Sequence, residues 1–266
     1  MSSPTDEDHL TDYHFAKLSD ELKRVTWVIK VDDGKPTVAT GFAIKFRDFM
    51  NVNDEDVLLL SCAHILNNKQ NYSIMARKID DKDFIFGAEI IAMKPTWDLS
   101  LLVVKGGNAI YSAEFAEDGA ISSCQTLLHV GHSQALVYSV FVGRAVYPCV
   151  NDCLPRRREI CDSYVCSSLN ATPDYRIMGH VWNEGYFRKH QSTHFPYEKN
   201  LYAHVPIIQC AGLYCKSICA GGPVFNTQGH IVGMIIGEKD GCEIAIHVAL
   251  LKEFVRMNST TNQGLL

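Results

Sequence analysis

Two adjacent glycines, Gly221 and Gly222, constrain the fold of this chain more than any other feature of its sequence. They lie in the middle of an apolar stretch, residues 210–236, which reads CAGLYCKSICAGGPVFNTQGHIVGMII. Because glycine has no Cβ, such a pair permits a sharp turn with positive φ and lets a ligand approach the backbone closely. The residue immediately before the glycines is Ala220, and a β-type run follows them. The stretch therefore predicts a tight turn at a strand end, suited to catalysis by backbone N–H groups.

A histidine and an aspartate lie earlier in the chain, each beside an apolar β-type run. His64 stands near the end of LLLSCAHIL, residues 58–66, and Asp98 precedes the branched residues of TWDLSLLVVK, residues 96–105. Taken singly, each has an ordinary structural explanation, His64 as a hydrogen-bonded core side chain and Asp98 as a turn acid. The order of histidine, aspartate and glycine turn is what makes the combination informative.

This order resembles that of the trypsin-like (chymotrypsin-fold) serine proteases. SCAHIL resembles their strand-end histidine motif, DLSLLVV their aspartate motif, and AGGPVFNTQGHIVGMI their nucleophile loop with the hairpin that follows. Within the superfamily the chain most resembles the HtrA/Do-like branch, because residues 128–146, IIQCAG and CEIAIHVALLKEFV are similar to its second-barrel strands and closing helix. The resemblance covers residues 23–257 apart from one insertion, and Ala220 occupies the position of the nucleophile serine.

The resemblance implies an all-β protein of two six-stranded antiparallel β-barrels, with an N-terminal helix and a C-terminal helix. The residue patterns agree, because apolar residues recur at helical spacing over 9–23 and 249–257, and short β-type runs separated by turn residues occupy much of the chain between them. The expected division is a tail and helix at 1–24, a first barrel at 25–115, a second barrel at 116–257 with an insertion at 149–200, and a tail at 258–266.

The resemblance also implies roles for individual residues. A serine at position 220 would attack a peptide carbonyl while His64 takes its proton and Asp98 holds the imidazole tautomer. The backbone N–H groups of Ile218 and Ala220 would receive the developing oxyanion. Alanine keeps the backbone N–H of position 220 but supplies no nucleophile, so the chain as given is expected to be catalytically dead.

The same resemblance assigns a substrate pocket. Its walls and base would come from five residues, namely Tyr214, Ile236, Gly237, Glu238 and Ala245. Position 214 carries no acid that could match a basic side chain, so the sequence favours a small or medium aliphatic residue before the scissile bond.

Three explanations of Ala220 remain open at this point. A serine was deliberately replaced to obtain an inert enzyme, or the alanine is natural and the chain is a pseudoprotease that binds peptides or partners. The third is that the neighbouring Cys219 is the nucleophile. The His64 and Asp98 motifs favour replacement, because a pseudoenzyme has no chemical need of them. Ile218 stands where the family has glycine, and this difference argues against the replacement of a natural serine. The position of the glycine pair places residue 220, and not Cys219, at the nucleophile position, and this argues against Cys219 as the nucleophile.

Composition narrows the remaining function classes. The chain has 266 residues, 47% of them hydrophobic, which is enough for a substantial core. Its formal net charge of −5 argues against a general nucleic-acid surface. No run is long and apolar enough to cross a bilayer, and the acidic N-terminus resembles neither a secretory signal nor a transit peptide. We therefore expect an intracellular protein, cytoplasmic or nuclear, whose ten cysteines are free thiols.

The insertion at 149–200 has no counterpart in the family pattern. It carries Cys149, Cys153, Cys161 and Cys166, whose spacing departs from that of paired zinc knuckles. An ordered lid or a partner-binding surface is therefore preferred to a zinc site, and neither a metal nor a cofactor is expected. The expected partners are protein or peptide substrates, without a membrane, and the N-terminal helix is a candidate contact in a homo-oligomer.

Overall fold

The structure is a computed structural model, and it describes residues 12–45, 52–66, 72–108, 111–117, 120–131, 139–147, 207–213, 219–239 and 242–259. The insertion at 149–200, with its four cysteines, lies outside these residues, as do Tyr214 and Ile218.

The chain enters the fold through helix α1, Asp12–Val25. Leu18, Leu22 and Val25 recur at helical spacing and are buried, whereas the opposite face is exposed. The helix lies against the first and the second barrel, because it contacts one strand of each. Its last turn contains Lys23 and Arg24, whose positive charges suit the C-terminal end of the helix dipole.

Six strands close into the first barrel, in which β3 and β6 pair along their whole length. Every residue of these two strands is buried, because one face fills the barrel and the other is covered by neighbouring elements. The strands, in the spatial order β1-β2-β3-β6-β5-β4, are β1 Thr26–Asp32, β2 Thr37–Ile44, β3 Val57–Cys62, β4 Ser73–Lys78, β5 Phe86–Lys94 and β6 Leu99–Val104.

The second barrel repeats this closure with the spatial order β10-β11-β12-β9-β8-β7. All of its strand pairs are antiparallel, and its core is formed mainly by alternate residues of these strands. The strands are β7 Thr126–Gly131, β8 Ser139–Tyr147, β9 Ile207–Ala211, β10 Pro223–Phe225, β11 Ile231–Lys239 and β12 Cys242–His247.

Helix α2, Val248–Met257, follows the last strand without a loop. The imidazole of His247 caps it by accepting a hydrogen bond of 3.1 Å from the N–H of Ala249. Six of its ten residues are buried, and the helix contacts β6 of the first barrel as well as β11 and β12. The predicted fold class of two six-stranded antiparallel barrels with a helix at each end is therefore confirmed.

The segment that connects the two barrels forms backbone hydrogen bonds with both of them. Ala113 donates its N–H to the carbonyl of Ala43 in β2 (2.8 Å), and Ala116 donates to Ile231 in β11 (2.8 Å). One continuous core cluster contains apolar residues from both barrels, including Ala220. The barrels are thus packed against each other on an apolar interface, and the ends of β3 and β10 lie beside it.

Candidate active site

The position of His64 follows from where strand β3 ends. The strand stops at Cys62, and residues 63–66 form a turn in which Leu66 donates its N–H to the carbonyl of Ala63 (3.0 Å). Asp98 holds this turn twice, because its carbonyl accepts from Ala63 N–H (3.1 Å) and its Oδ1 accepts from His64 N–H (2.8 Å). The backbone of the histidine is therefore fixed by the same residue that contacts its ring.

Asp98 occupies a special backbone position between a 3-10 turn, Pro95–Trp97, and strand β6. It has φ 54° and ψ 37°, which is the left-handed region that Asp and Asn enter more readily than most residues. This conformation ends the turn and points the carboxylate at His64. Asp98 is 1% exposed, and its Oδ2 lies 2.8 Å from His64 Nδ1.

The pair has a defined electrostatic consequence. Burial alone lowers the pKa of His64, but the Asp98 carboxylate, and to a smaller degree the sulfur of Cys62, outweigh it, so that this pKa is well above its ordinary value. With Nδ1 held on the carboxylate, Nε2 is the ring nitrogen that can accept a proton in the neutral imidazole. The arrangement can therefore act as a general base whose positive form is stabilised by Asp98.

The glycine turn has the tight geometry expected from its sequence. Gly222 donates its N–H to the carbonyl of Cys219 (2.9 Å), and Gly221 has φ +83°. Strand β11 supports the turn on one side, because Ile235 accepts from Gly221 N–H (2.8 Å) and donates to the carbonyl of Gly222 (2.9 Å). These bonds fix the backbone of Gly221 and Gly222, the two residues that follow Ala220.

The first barrel holds the turn from the other side. Thr40 in β2 donates its N–H to the carbonyl of Ala220 (3.0 Å). The carbonyl of Thr40 in turn accepts a hydrogen bond from Ser61 Oγ in β3 (2.7 Å). A Cβ on Gly221 would collide with Thr40 O and Ser61 Oγ and would fall 2.9 Å from Cys62 N. Only glycine lets the turn pack this closely on the strand that carries the histidine.

The structure thus joins His64 and Asp98 directly, and it connects the backbone of Ala220 to the histidine strand through Thr40 and Ser61. Ala220 itself is 3% exposed. The catalytic roles assigned to these three residues remain predictions.

The proposed pocket residues occupy β11 and β12. Ile236 and Ala245 are buried, Gly237 is half-buried and Glu238 is exposed. A bulge lies at Ile236, because Ile235 opposes Ala245 whereas Gly237 opposes Ile244. Tyr214, and Ile218 of the predicted oxyanion hole, fall outside the described residues, so these two assignments remain predictions.

Several polar contacts around the site were not anticipated from the sequence. Cys62 Sγ lies 3.8 Å from His64 Nε2, and Ser100 Oγ donates to the carbonyls of Ser61 and Cys62 (3.1 Å each). Ser61 lies in β3, which ends shortly before His64, and Ser100 lies in β6, which begins directly after Asp98. This position in the chain is the sequence signal for their role at the site. Cys62 had no signal beyond its place two residues before the histidine.

A second histidine lies beneath the glycine turn. His129 in β7 is buried, its Nδ1 lies 2.8 Å from the carbonyl of Pro223, and its ring stacks on Phe141 with a centroid separation of 6.2 Å. A Cβ on Gly222 would fall 2.5 Å from His129 Cε1, so the second glycine also gives room to this ring. Cys219 is 2% exposed and belongs to the core of the second barrel, which disfavours its thiol as a nucleophile.

Two closed barrels, with an imidazole–carboxylate pair in the first and a glycine turn in the second, define a serine protease fold of the chymotrypsin-like class. A family model described as the trypsin-like peptidase domain matches residues 39–234, and the chain belongs to that family. A search of curated proteins found no match.

Among solved structures, the chain is similar to Rv3671c from M. tuberculosis H37Rv, crystallised as a serine-to-alanine mutant in an inactive form. The TM-score is 0.60 at 13% identity, and the match covers 97% of this chain and 96% of that chain. At this identity the similarity establishes the fold and no more. In the described part of the chain, no helix is long and apolar enough to cross a membrane. Nor do its His, Cys, Asp and Glu side chains gather in groups of three or more that could hold a metal ion.

Proposed function

We propose that this chain has the architecture of a serine endopeptidase of the HtrA/Do-like branch, in a form that is inert because Ala220 stands at the nucleophile position. His64 would be the general base and Asp98 the residue that orients it, and the backbone N–H groups of Ile218 and Ala220 would form the oxyanion hole. Proteins or peptides would be the substrates.

The observation that carries this proposal is the pair of hydrogen bonds that the Asp98 carboxylate accepts from the backbone N–H and the ring of His64. A structural histidine needs one partner, whereas this carboxylate fixes both the turn and the ring tautomer. The left-handed backbone of Asp98 is a further cost, and such strained conformations concentrate at functional sites. The glycine turn, bonded to Thr40 of the histidine-bearing barrel, supports the same interpretation.

The test restores the nucleophile. We expect Ala220→Ser to hydrolyse an unfolded protein substrate and to react with a serine-directed fluorophosphonate probe, whereas the given chain does neither. Loss of a serine nucleophile costs about a million-fold in rate, or about 8 kcal/mol of barrier, so the contrast should be large. The matched control is Ala220→Ser with His64→Gln, which keeps the hydroxyl and removes the base, and it should remain unlabelled.

A second candidate function is a natural pseudoprotease that binds peptides or partners without cleaving them. It is favoured by the surroundings of the site, because Ala220 is packed in the core cluster and a cysteine sulfur lies 3.8 Å from His64 Nε2. If Ala220→Ser folds as the given chain does and yet neither labels nor cleaves, this second function replaces the first. The natural coding sequence at codon 220 separates an engineered alanine from a natural one.

The proposal extends to location and assembly. A cytoplasmic or nuclear protein fits the free thiols of the described cysteines, namely Cys62, Cys124, Cys210, Cys219 and Cys242. The insertion at 149–200 would be a partner-binding surface, and α1 a contact between copies. Deleting the insertion and measuring binding to cell-derived partners tests the former, and the solution mass of the chain tests the latter.

A further inference from the structure

The buried histidine beneath the glycine turn has no part in the proposed triad. Nδ1 of His129, in β7, lies 2.8 Å from the carbonyl oxygen of Pro223, the residue that follows the two glycines. A carbonyl oxygen can only accept a hydrogen bond, so Nδ1 carries the proton and donates it. The backbone that leaves the turn therefore holds the ring of His129 in one tautomer.

This hydrogen bond lies where backbone pairing between two strands ends. β10 pairs with β7 from Val224 onward, and Val224 opposes His129. Pro223 precedes this pair, and its carbonyl is bound by a side chain. Residues 220–222 are held by backbone groups of β2 and β11, which any residue at those positions except proline would supply. The hydrogen bond to Pro223 differs, because it depends on the identity of residue 129.

Close packing fixes the ring as well as its hydrogen bond. A Cβ on Gly222 would fall 2.5 Å from the ring Cε1, and a Cβ on Gly131 would fall 2.6 Å from Nε2 and 3.1 Å from Cys219 Sγ. Phe141 opposes His129 across the β7–β8 pair and stacks on the imidazole. The imidazole is thus confined between the turn, its own strand and β8, and the turn cannot shift without displacing it.

We propose that His129 is a positioning residue, which holds the glycine turn in the geometry that residue 220 needs for catalysis. Its Nδ1–H fixes Pro223 and its ring supports Gly222, so that the backbone N–H and the side chain of residue 220 stay aligned with His64. A misplacement of about 1 Å can cost about 100-fold in rate, so a side chain that never touches substrate can control kcat. This inference rests on the proposed function, because a turn without a nucleophile needs no such alignment.

Two substitutions in the Ala220→Ser background separate the hydrogen bond from space filling. His129→Asn places an amide N–H near the position of Nδ1, whereas His129→Gln is closer in size to histidine but carries its amide near the position of Nε2. We expect kcat for peptide hydrolysis to fall about 10- to 100-fold in His129→Gln, with KM within about twofold of the parent value. His129→Asn should keep kcat within about threefold. A residue that only filled space would give the opposite order, because asparagine leaves the larger cavity.

The matched control is His247→Gln. His247 is also a buried histidine of the second barrel, but its Nδ1 accepts a hydrogen bond from Ala249 N–H of α2. This control should lower stability and leave kcat of the folded protein unchanged. Circular dichroism and thermal unfolding establish that each variant is folded.

A second readout uses the chain as given and needs no activity. Gly221 and Gly222 donate their N–H groups within and beside the turn, so hydrogen exchange at these two amides reports how firmly the turn is held. We expect exchange to be about 10-fold faster in His129→Gln and close to that of the parent in His129→Asn. The nitrogen-15 spectrum of the parent, which needs no variant, should show the proton of His129 on Nδ1.

Several results would overturn the proposal. A ring protonated only on Nε2, a loss of kcat in folded His129→Asn equal to or larger than that in His129→Gln, or an equal loss in His247→Gln would each refute it. Cleavage by Ala220→Ser that neither change at position 129 affects removes the positioning role and leaves the protease. If Ala220→Ser is inactive, the protease assignment fails, and the exchange contrast between the two variants decides whether His129 holds the turn.

Discussion

The two halves of the candidate site are built on different principles. In the first barrel, the His64–Asp98 corner is polar, and each carboxylate oxygen of Asp98 has a hydrogen-bond partner. In the second barrel, the turn around Ala220 is apolar and is held by backbone hydrogen bonds and close packing. The first half depends on which side chains are present, whereas the second depends on the absence of side chains at Gly221 and Gly222. A serine-to-alanine substitution at position 220 can therefore remove the nucleophile without disturbing the backbone turn that would hold it.

The largest effect should come from the polar half. In an Ala220→Ser background, Asp98→Asn should lower kcat by about 10⁴-fold, because the amide favours the wrong imidazole tautomer. The measurement is peptide hydrolysis by protein whose folding has been verified.

Asp56→Asn is the matched control, because its side chain is 4% exposed and accepts hydrogen bonds from the N–H groups of Asn53 and Gly106 in the same barrel. It should lower stability and leave kcat of the folded protein unchanged. A similar loss of kcat in both variants would mean that Asp98 acts only on folding.

The next effect concerns the backbone half. Gly221→Ala should lower the free energy of unfolding by about 3 kcal/mol or more, because its φ of +83° and the collisions with Thr40 and Ser61 both oppose a Cβ. Gly34→Ala, at φ +97° with no atom within 4 Å of the new Cβ, should cost about 1 kcal/mol for the backbone conformation alone. Urea unfolding measures both. Equal losses would show that the turn is not packed on the first barrel.

A smaller effect should appear at the connection between the halves. Ser61→Ala removes the donor to the carbonyl of Thr40, and we expect a loss of about 1 to 2 kcal/mol with faster hydrogen exchange at Thr40 N–H. Ser100→Ala removes a buried hydroxyl whose hydrogen bonds stay within the first barrel. It should cost a similar amount and leave exchange at Thr40 unchanged. Equal exchange in both variants would contradict a specific link.

The most gradual effect is that of pH. Because the pKa of His64 is raised in the folded chain, the stability from its pairing with Asp98 is fully present below the unfolded pKa of about 6.5 and is lost as pH rises through the folded pKa. The difference in unfolding free energy between the given chain and His64→Gln should therefore shrink at alkaline pH. In Ala220→Ser, hydrolysis should rise over the same range as His64 becomes a neutral base. A difference independent of pH would rule out the ion pair.

The features of the fold that could be predicted from the sequence are those whose signal is local. Short β-type runs separated by turn residues indicated a β-rich chain, the resemblance to the trypsin-like proteases implied two barrels, and the spacing of Leu18 and Leu22 predicted α1. His64 and Asp98 were identified because each lies beside an apolar run and because their order with the glycine turn resembles that of the trypsin-like proteases.

The contacts that complete the site depend on register between distant strands. Thr40 and Ala220 are 180 positions apart, and nothing near Thr40 in the sequence indicates that its N–H reaches the glycine turn.

The structure of Ala220→Ser at high resolution tests the central claim most directly. We predict that the introduced hydroxyl lies about 2.6 to 3.2 Å from His64 Nε2 while Asp98 remains on Nδ1. A hydroxyl that points away from the ring, with Nε2 still beside Cys62 Sγ, would contradict the account.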